Sequence, residues 1–303
     1  MKKIDVYIVQ KVINVLDKYN RRRKKNELSA WDKNVLNADK FVYQLSNSLK
    51  IILHKDSLLS KLIFEGFEHD EELFISRFIK QGDIFFDVGA NIGMHTLFAA
   101  HTLNGTGKVY AFEPTPATVK RLRENVALNK LVDCVNIEPV GLSNQAGELN
   151  LNLAANGYDA WNSFANLKHI EVKDSIIVPV VTLDEFIESY SIEISHISLI
   201  KIDVEGWEIK VFEGMRRLFD NNLFKATFLI EFTEENMFRA GYSCKELYNY
   251  LVDKGYKWYE FDPQSNSIKF SELKAYYPYQ NLIATKNPEA VNARLKEAKK
   301  DGA

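Results

Sequence analysis

The chain has 303 residues, 46% of them hydrophobic and 26% charged, with a formal net charge of −2. That length and balance suit one large α/β domain with additions or two small domains, and the near-neutral charge excludes a general nucleic-acid binder, which would be basic overall. The two cysteines, Cys134 and Cys244, are far apart with no metal-like spacing, no apolar run reaches membrane-span length, and charge breaks up the N-terminus too much for a signal peptide, so the expected compartment is a reducing cytoplasm.

Ile4, Ile8, Val12, Leu16 and Tyr19 recur at helical spacing ahead of the run RRRKK at 21–25. A basic amphipathic helix of this kind can lie on an anionic membrane surface, which would place the protein at the inner membrane face. The alternative is a helix packed on its own domain or on a second copy in a homodimer, with a solvated basic loop after it. Residues 41–64 alternate enough, at Phe41-Val42-Tyr43 and again from Leu49 to Leu53, to predict a small hairpin. A helix from Asp70 to Lys80 follows, its first turn rich in acids.

Ile84-Phe85-Phe86 and Val88 form a short apolar run between Gly82 and Gly89, the pattern of a strand buried on both faces. From Ile92 to Leu103 the apolar spacing becomes helical. The chain therefore leaves a strand, turns on Gly89 and Gly93, and enters a helix, which is where ligands of open α/β folds bind and where free backbone N–H groups are expected. Asp87 closes that strand with a carboxylate. It would repel a pyrophosphate and attract a ligand bearing an ammonium and a sulfonium, so the residues favour S-adenosylmethionine over NAD.

KVYAF at 108–112 is the next strand, ending in Glu113, an acid placed to accept hydrogen bonds from two ribose hydroxyls. Thr115 and Pro116 start a helix that runs to Asn129. A third strand covers Val135 to Val140. Gly141 follows it, where adenine would reach. Glu148 to Leu153 alternates as a half-exposed strand. Asn156 to Asn166, with Tyr158, Trp161 and Phe164 beside Asn162 and Ser163, reads either as a loop suited to sugars or as one folded over its own rings. His169 reads as surface decoration.

Ile176 to Val181 and Ile197 to Ile202 are strands, the second buried but for one lysine and followed by Asp203-Val204-Glu205-Gly206 and a helix through Phe219. Ala226 to Ile230 is a further buried strand ending in Glu231. Ser243 caps a helix stopped by Gly255, and Lys257–Phe261 and Asn281–Thr285 are the last strands. Residues 287–303 read as a polar terminal helix or tail. Asp87, Glu113, Asp203, Glu205 and Glu231 thus crowd one rim of the sheet, a costly arrangement unless positive charge compensates it. A divalent metal could supply some of that charge, but no His/Asp spacing calls for one, and none is expected.

Three motifs in order, DVGANIG at 87–93, AFEPTP at 111–116 and KIDVEGWE at 201–208, resemble the FkbM family of S-adenosylmethionine-dependent methyltransferases, and the likeness spans roughly residues 65–286. The resemblance implies a Rossmann-like class I methyltransferase fold, with a seven-stranded, mostly parallel sheet between helices. It would have an extension at 1–64, a substrate-side insert at 147–182 and a polar tail at 287–303. It implies a donor site of Asp87, Gly89, Ala90, Asn91, Gly93, Glu113, Pro114, Gly141 and Asp203. O-methylation of a hydroxyl on a sugar, glycan or glycosylated natural product is the expected reaction. Asp203 and Glu205 lead as the base, with Glu231 and His95 behind them. Glu68 falls where the family often carries a glutamate. The competing readings are another acceptor, such as an amine or a polyketide hydroxyl, and a noncatalytic cofactor-binding module in a glycan-synthesis assembly.

Overall fold

The computed structural model describes residues 29–36, 38–46, 48–155, 157–165 and 172–301, with side chains as far as residue 297. The basic helix expected at 1–25 and His169 lie outside the described residues. No helix among the described residues is long and apolar enough to cross a membrane.

Strand β1 (Lys40–Gln44) pairs with β2 (Lys50–His54) in the expected antiparallel hairpin. The next strands are β3 (Ile84–Val88), β4 (Lys108–Phe112) and β5 (Val135–Glu138). Short β6 (Gly141–Leu142) and the long ribbon β7 (Gly147–Ala154) and β8 (Val172–Val181) form a separate three-stranded sheet. Then come β9 (Ile197–Ile202), β10 (Thr227–Phe232), β11 (Lys257–Asp262), β12 (Ser267–Phe270) and β13 (Gln280–Thr285). The main sheet runs β12-β11-β13-β10-β9-β3-β4-β5. Its five strands from β10 to β5 are parallel, and β13 enters antiparallel to β10. The order reverses between β3 and β9, a switch point where ligands of such sheets bind.

The sheet has eight strands where seven were expected. The eighth is β12, which turns back on β11 because Asp262 Oδ1 accepts from Gln264 N and Ser265 N and Asn266 takes a left-handed φ of 52°. Glu231 sits inside β10 rather than beyond its end. The single helix expected from Gly206 to Phe219 is two, Glu208–Glu213 and Arg216–Phe219. It breaks at Gly214, where a Cβ would come 2.2 Å from the Ser143 carbonyl oxygen. Helix Pro116–Leu128 starts as expected, but the Thr115 hydroxyl makes no cap bond to it.

Side chains of β3 alternate between two cores. Phe86 and Val88 join a cluster with Phe112, Phe186 and Phe212; Phe85 joins one with Leu97, Leu122, Ile51 and Leu53. The hairpin therefore shares a core with the central strand. Of the two forms expected after residue 286, the structure has the helix: Pro288–Asp301 buries Val291 and Leu295 in that same core, and Arg294 forks onto Asp83. By the same two-residue period, Asp87 and Lys201 point to the face covered by helix Met94–Leu103, and the β3–β9 register sets them side by side.

Candidate functional site

The turn after β3 is closed against its neighbours. Gly89 N and Ala90 N donate to Phe112 O at 3.0 and 2.9 Å, and Gly93 N to Ala90 O at 2.9 Å. Asn91 N donates to Glu113 Oε2 at 3.1 Å, and Ile92 N to the Asn91 side chain at 2.8 Å. The N–H groups of residues 89–93, expected to be free, are therefore all taken by protein acceptors. The glycines serve chain packing. A Cβ on Gly89 would sit 1.9 Å from the Asp203 carbonyl oxygen, and one on Gly93 would sit 2.3 Å from Leu122 Cδ1.

Beside that turn lies a cleft lined by Val88, Gly89, Asn91, Glu113, Pro114 and Thr115. Gly141, Leu142, Phe164, Asp203, Val204 and Glu205 also line it. Asp159, Ala160 and Asn162 complete the wall. Glu113 is buried and rigidly held: Oε2 takes Asn91 N, and Oε1 takes Thr115 N at 2.8 Å. Burial pushes its pKa up to about 7 against those bonds. Gly141 is required by protein rather than by a ligand, since its Cβ would lie 2.7 Å from Phe164 Cζ. Tyr158 and Trp161 stack on each other at 4.4 Å and Phe164 tilts against Trp207, so the aromatic loop largely covers its own rings.

Asp87, Ala90, Gly93 and Glu231 do not line the cleft. Asp87 is wholly buried below the turn; Thr96 Oγ1 donates to its Oδ2 at 2.5 Å, and its Oδ1 has no partner. The parity of β3 gives the reason, because the cleft-side position goes to Val88. The carboxylate expected to greet the donor faces helix Met94–Leu103 instead.

The rim over β9 and β10 is a network of charges. Lys201, 3% exposed, donates from Nζ to Asp203 Oδ2 at 2.9 Å. Burial alone would lower its pKa, but Asp203, Asp87 and Glu68 together hold it above the ordinary lysine value. Burial would likewise raise Asp203, and Lys201 overrides it and keeps this carboxyl below its usual range. Burial, then the charges of Asp203 and Glu208, push Glu205 well above the ordinary glutamate value against Arg239 and Lys201. Burial, then Glu205 and Asp203, do the same to Glu231. Asn236 Nδ2 donates to Glu205 Oε2 at 2.6 Å, and Thr233 Oγ1 to Glu231 Oε1 at 2.5 Å.

Ligand atoms of Asp203, Glu205 and Glu231 all lie within 4.8 Å of one another, so these three could hold a cation although no sequence spacing called for one. Behind them, Glu68 takes a left-handed φ of 58° and accepts from Tyr279 OH at 2.6 Å and Asn281 Nδ2 at 3.2 Å. His95 Nε2 lies 3.5 Å from Glu68 Oε2, and burial lowers the histidine pKa to about 3, so the ring is neutral.

A model of the methyltransferase FkbM domain matches residues 87–258, more than half of the chain. The chain belongs to the FkbM methyltransferase family. The matched stretch contains every donor and catalytic residue expected from the three motifs and leaves out Glu68 and the β1–β2 hairpin. The chain is 32% identical over 139 residues to the hexuronic acid methyltransferase AglP of Haloferax volcanii, covering 45% of this chain and 51% of that protein. It is 31% identical over 163 residues to the 31-O-demethyl-FK506 methyltransferase FkbM of Streptomyces tacrolimicus, covering 45% and 61%. The aligned stretches thus span between half and three fifths of these relatives. A crystal structure of methyltransferase FkbM from Methylobacillus flagellatus aligns with 68% of this chain and 44% of its own, at 14% identity and a TM-score of 0.43.

Several residues at the candidate site carry no clear signal in the sequence. Lys201 reads in the sequence as an interruption of an apolar run, yet a lysine in a strand that is otherwise nearly all apolar is itself a signal of a buried counter-charge. Glu208, last residue of the third motif, takes Val204 N and Gly206 N on one oxygen, each at 3.2 Å, and fixes the turn that carries Glu205. Asp159 and Asn236 come from loop and helix positions with no local pattern to mark them.

Proposed function

We propose that this chain is an S-adenosylmethionine-dependent O-methyltransferase whose acceptor is a hydroxyl of a sugar, glycan or glycosylated natural product. The observation that carries the reading is the cleft itself. A backbone-held carboxylate, Glu113, and the acids Asp203 and Glu205 line it together with a glycine turn whose N–H groups at 89–93 are all taken by protein acceptors. These residues fit the donor: Glu113 keeps lone pairs for a ribose diol, and Asp203, held ionised by Lys201, suits the sulfonium that S-adenosylhomocysteine lacks. When bound, the donor supplies a methyl group on a sulfonium.

The chain's own part is to orient the acceptor and take its proton. Asp203 is the base this reading favours, because Lys201 keeps it ionised and it reaches the cleft. Glu205 also lines the cleft, and burial raises its pKa, which favours the form able to donate to the acceptor's other oxygens. The sugar acceptor rests on the relatives, one of which methylates a hexuronic acid by its name. Incubation with methyl-labelled donor and a panel of free, nucleotide-linked and lipid-linked sugars tests it. Label should enter at least one sugar hydroxyl and be lost with Asp203→Asn. Transfer only to amines or polyketides would refute the acceptor class, and undiminished transfer by Asp203→Asn would refute the base.

A further inference from the structure

The β1–β2 hairpin precedes the matched family stretch, yet it is bonded into both walls of the donor cleft, and helix Pro116–Leu128 is the bracket. The Asn125 side chain, wholly buried, accepts from Ile52 N at 2.7 Å and donates to Ile92 O at 2.8 Å, tying β2 to the glycine turn. Asn129 accepts from Lys50 N at 2.9 Å and donates to Lys50 O at 2.7 Å.

One helical turn before Asn125, Arg121 reaches the opposite wall. Its Nη2 donates to both Asp56 oxygens, at 2.9 and 2.8 Å, and its Nη1 to Asp159 Oδ2 at 3.3 Å. Asp159 Oδ1 takes Ser57 Oγ at 3.0 Å, and Leu58 N donates to Gly157 O at 2.8 Å. Gly157 fits only because it lacks a Cβ, which would lie 2.6 Å from the Asp56 carbonyl oxygen. Asp159, Ala160 and Asn162 line the cleft with Glu113, Pro114 and Thr115.

We infer that Arg121 is a positioning residue for the adenosine end of the donor: by joining Asp56 of the hairpin connection to Asp159 of the cleft wall, it makes residues 40–58 part of the donor site. The inference rests on the donor reading above. The wall at 157–165 has a single 3₁₀ turn and few backbone bonds of its own, so ordering it only when ligand arrives would weaken binding. A guanidinium forked onto one carboxylate and touching a second fixes it beforehand. Asp56 is largely exposed, so its pair alone contributes little; the effect resides at Asp159, which is mostly buried.

Calorimetry on the full chain tests this with S-adenosylhomocysteine and with 5′-methylthioadenosine, which lacks the amino-acid half. Arg121→Met should weaken both ligands by about tenfold and in the same proportion, equivalent to about 1.4 kcal/mol. Asp56→Asn, at a surface position outside the cleft, should weaken both by about threefold, and the double variant should bind no worse than Arg121→Met alone. A merely structural bracket would lower the melting temperature and leave both affinities within about twofold of wild type in both single variants, which would overturn the inference. A loss confined to S-adenosylhomocysteine would also overturn it, placing the effect at the methionine end. Should Arg121→Met fail to fold, Asp56→Asn decides alone. Wild type that binds neither ligand refutes the donor reading, and this inference falls with it.

Discussion

Two groups of carboxylates, one in the cleft wall and one reaching from that wall to the buried Glu231, are held in different ways. Glu113 is held by backbone: both oxygens take N–H groups from segments whose own positions are fixed by the sheet. Asp203, Glu205 and Glu231 are held by side chains and by one another, with Lys201 as the ammonium inside the group. The first arrangement is rigid and largely indifferent to charge elsewhere, as binding a neutral diol requires. The second is poised electrostatically, and changing any one member changes the others. On the proposed function, binding belongs to the first group and chemistry to the second.

The sharpest way to break that contrast is to remove Asp203. Asp203→Ala should lower kcat by about 10²–10⁴-fold while leaving the S-adenosylhomocysteine Kd within about threefold. An equal fall in affinity would make Asp203 a binding group like Glu113. Lys201→Met should be the most damaging change to stability, because it leaves Asp203, Asp87 and Glu68 without their shared counter-charge. A loss of about 3–5 kcal/mol by urea unfolding is expected, much more than for a surface lysine such as Lys269.

Glu113→Ala should weaken S-adenosylhomocysteine by about 10–100-fold through the lost diol contacts, with kcat at saturating donor changed far less. The smallest effect concerns pH. Glu113 and Glu208 have folded pKa values of about 7, and Asp159 of about 6, all raised by burial above their unfolded values. The folded state thus binds more protons than the unfolded one between about pH 4.5 and 7, so stability falls as pH rises through that window. The unliganded protein should melt several degrees lower at pH 7.5 than at pH 5, and a flat profile would contradict these assignments.

The two groups also differ in how far they could be read from the chain. Backbone-held features announce themselves locally. The run from Ile84 to Val88, the turn on Gly89 and Gly93, and Glu113 before Thr115-Pro116 were placed correctly, because strand, turn and helix patterns are short-range. Asp87 was misjudged for want of strand parity: its position in the sequence was plain, but the face it points to depends on which residues the helices cover. Lys201 looked like a blemish in a strand, since its meaning comes from Asp87 on the adjacent strand and from Glu68 more than 130 positions away. Gly141 was attributed to a ligand when Phe164 is what requires it. The eighth strand was missed because its short segment alternates weakly and is defined by the hairpin back to β11.

The central claim is that the cleft holds a cationic methyl donor rather than a dinucleotide, and titration calorimetry tests it most directly. Wild type should bind S-adenosylhomocysteine with micromolar affinity, lose most of it in Glu113→Ala, and give no heat with NAD. Binding of NAD in competition with S-adenosylhomocysteine, or no binding of S-adenosylhomocysteine at all, would contradict the account.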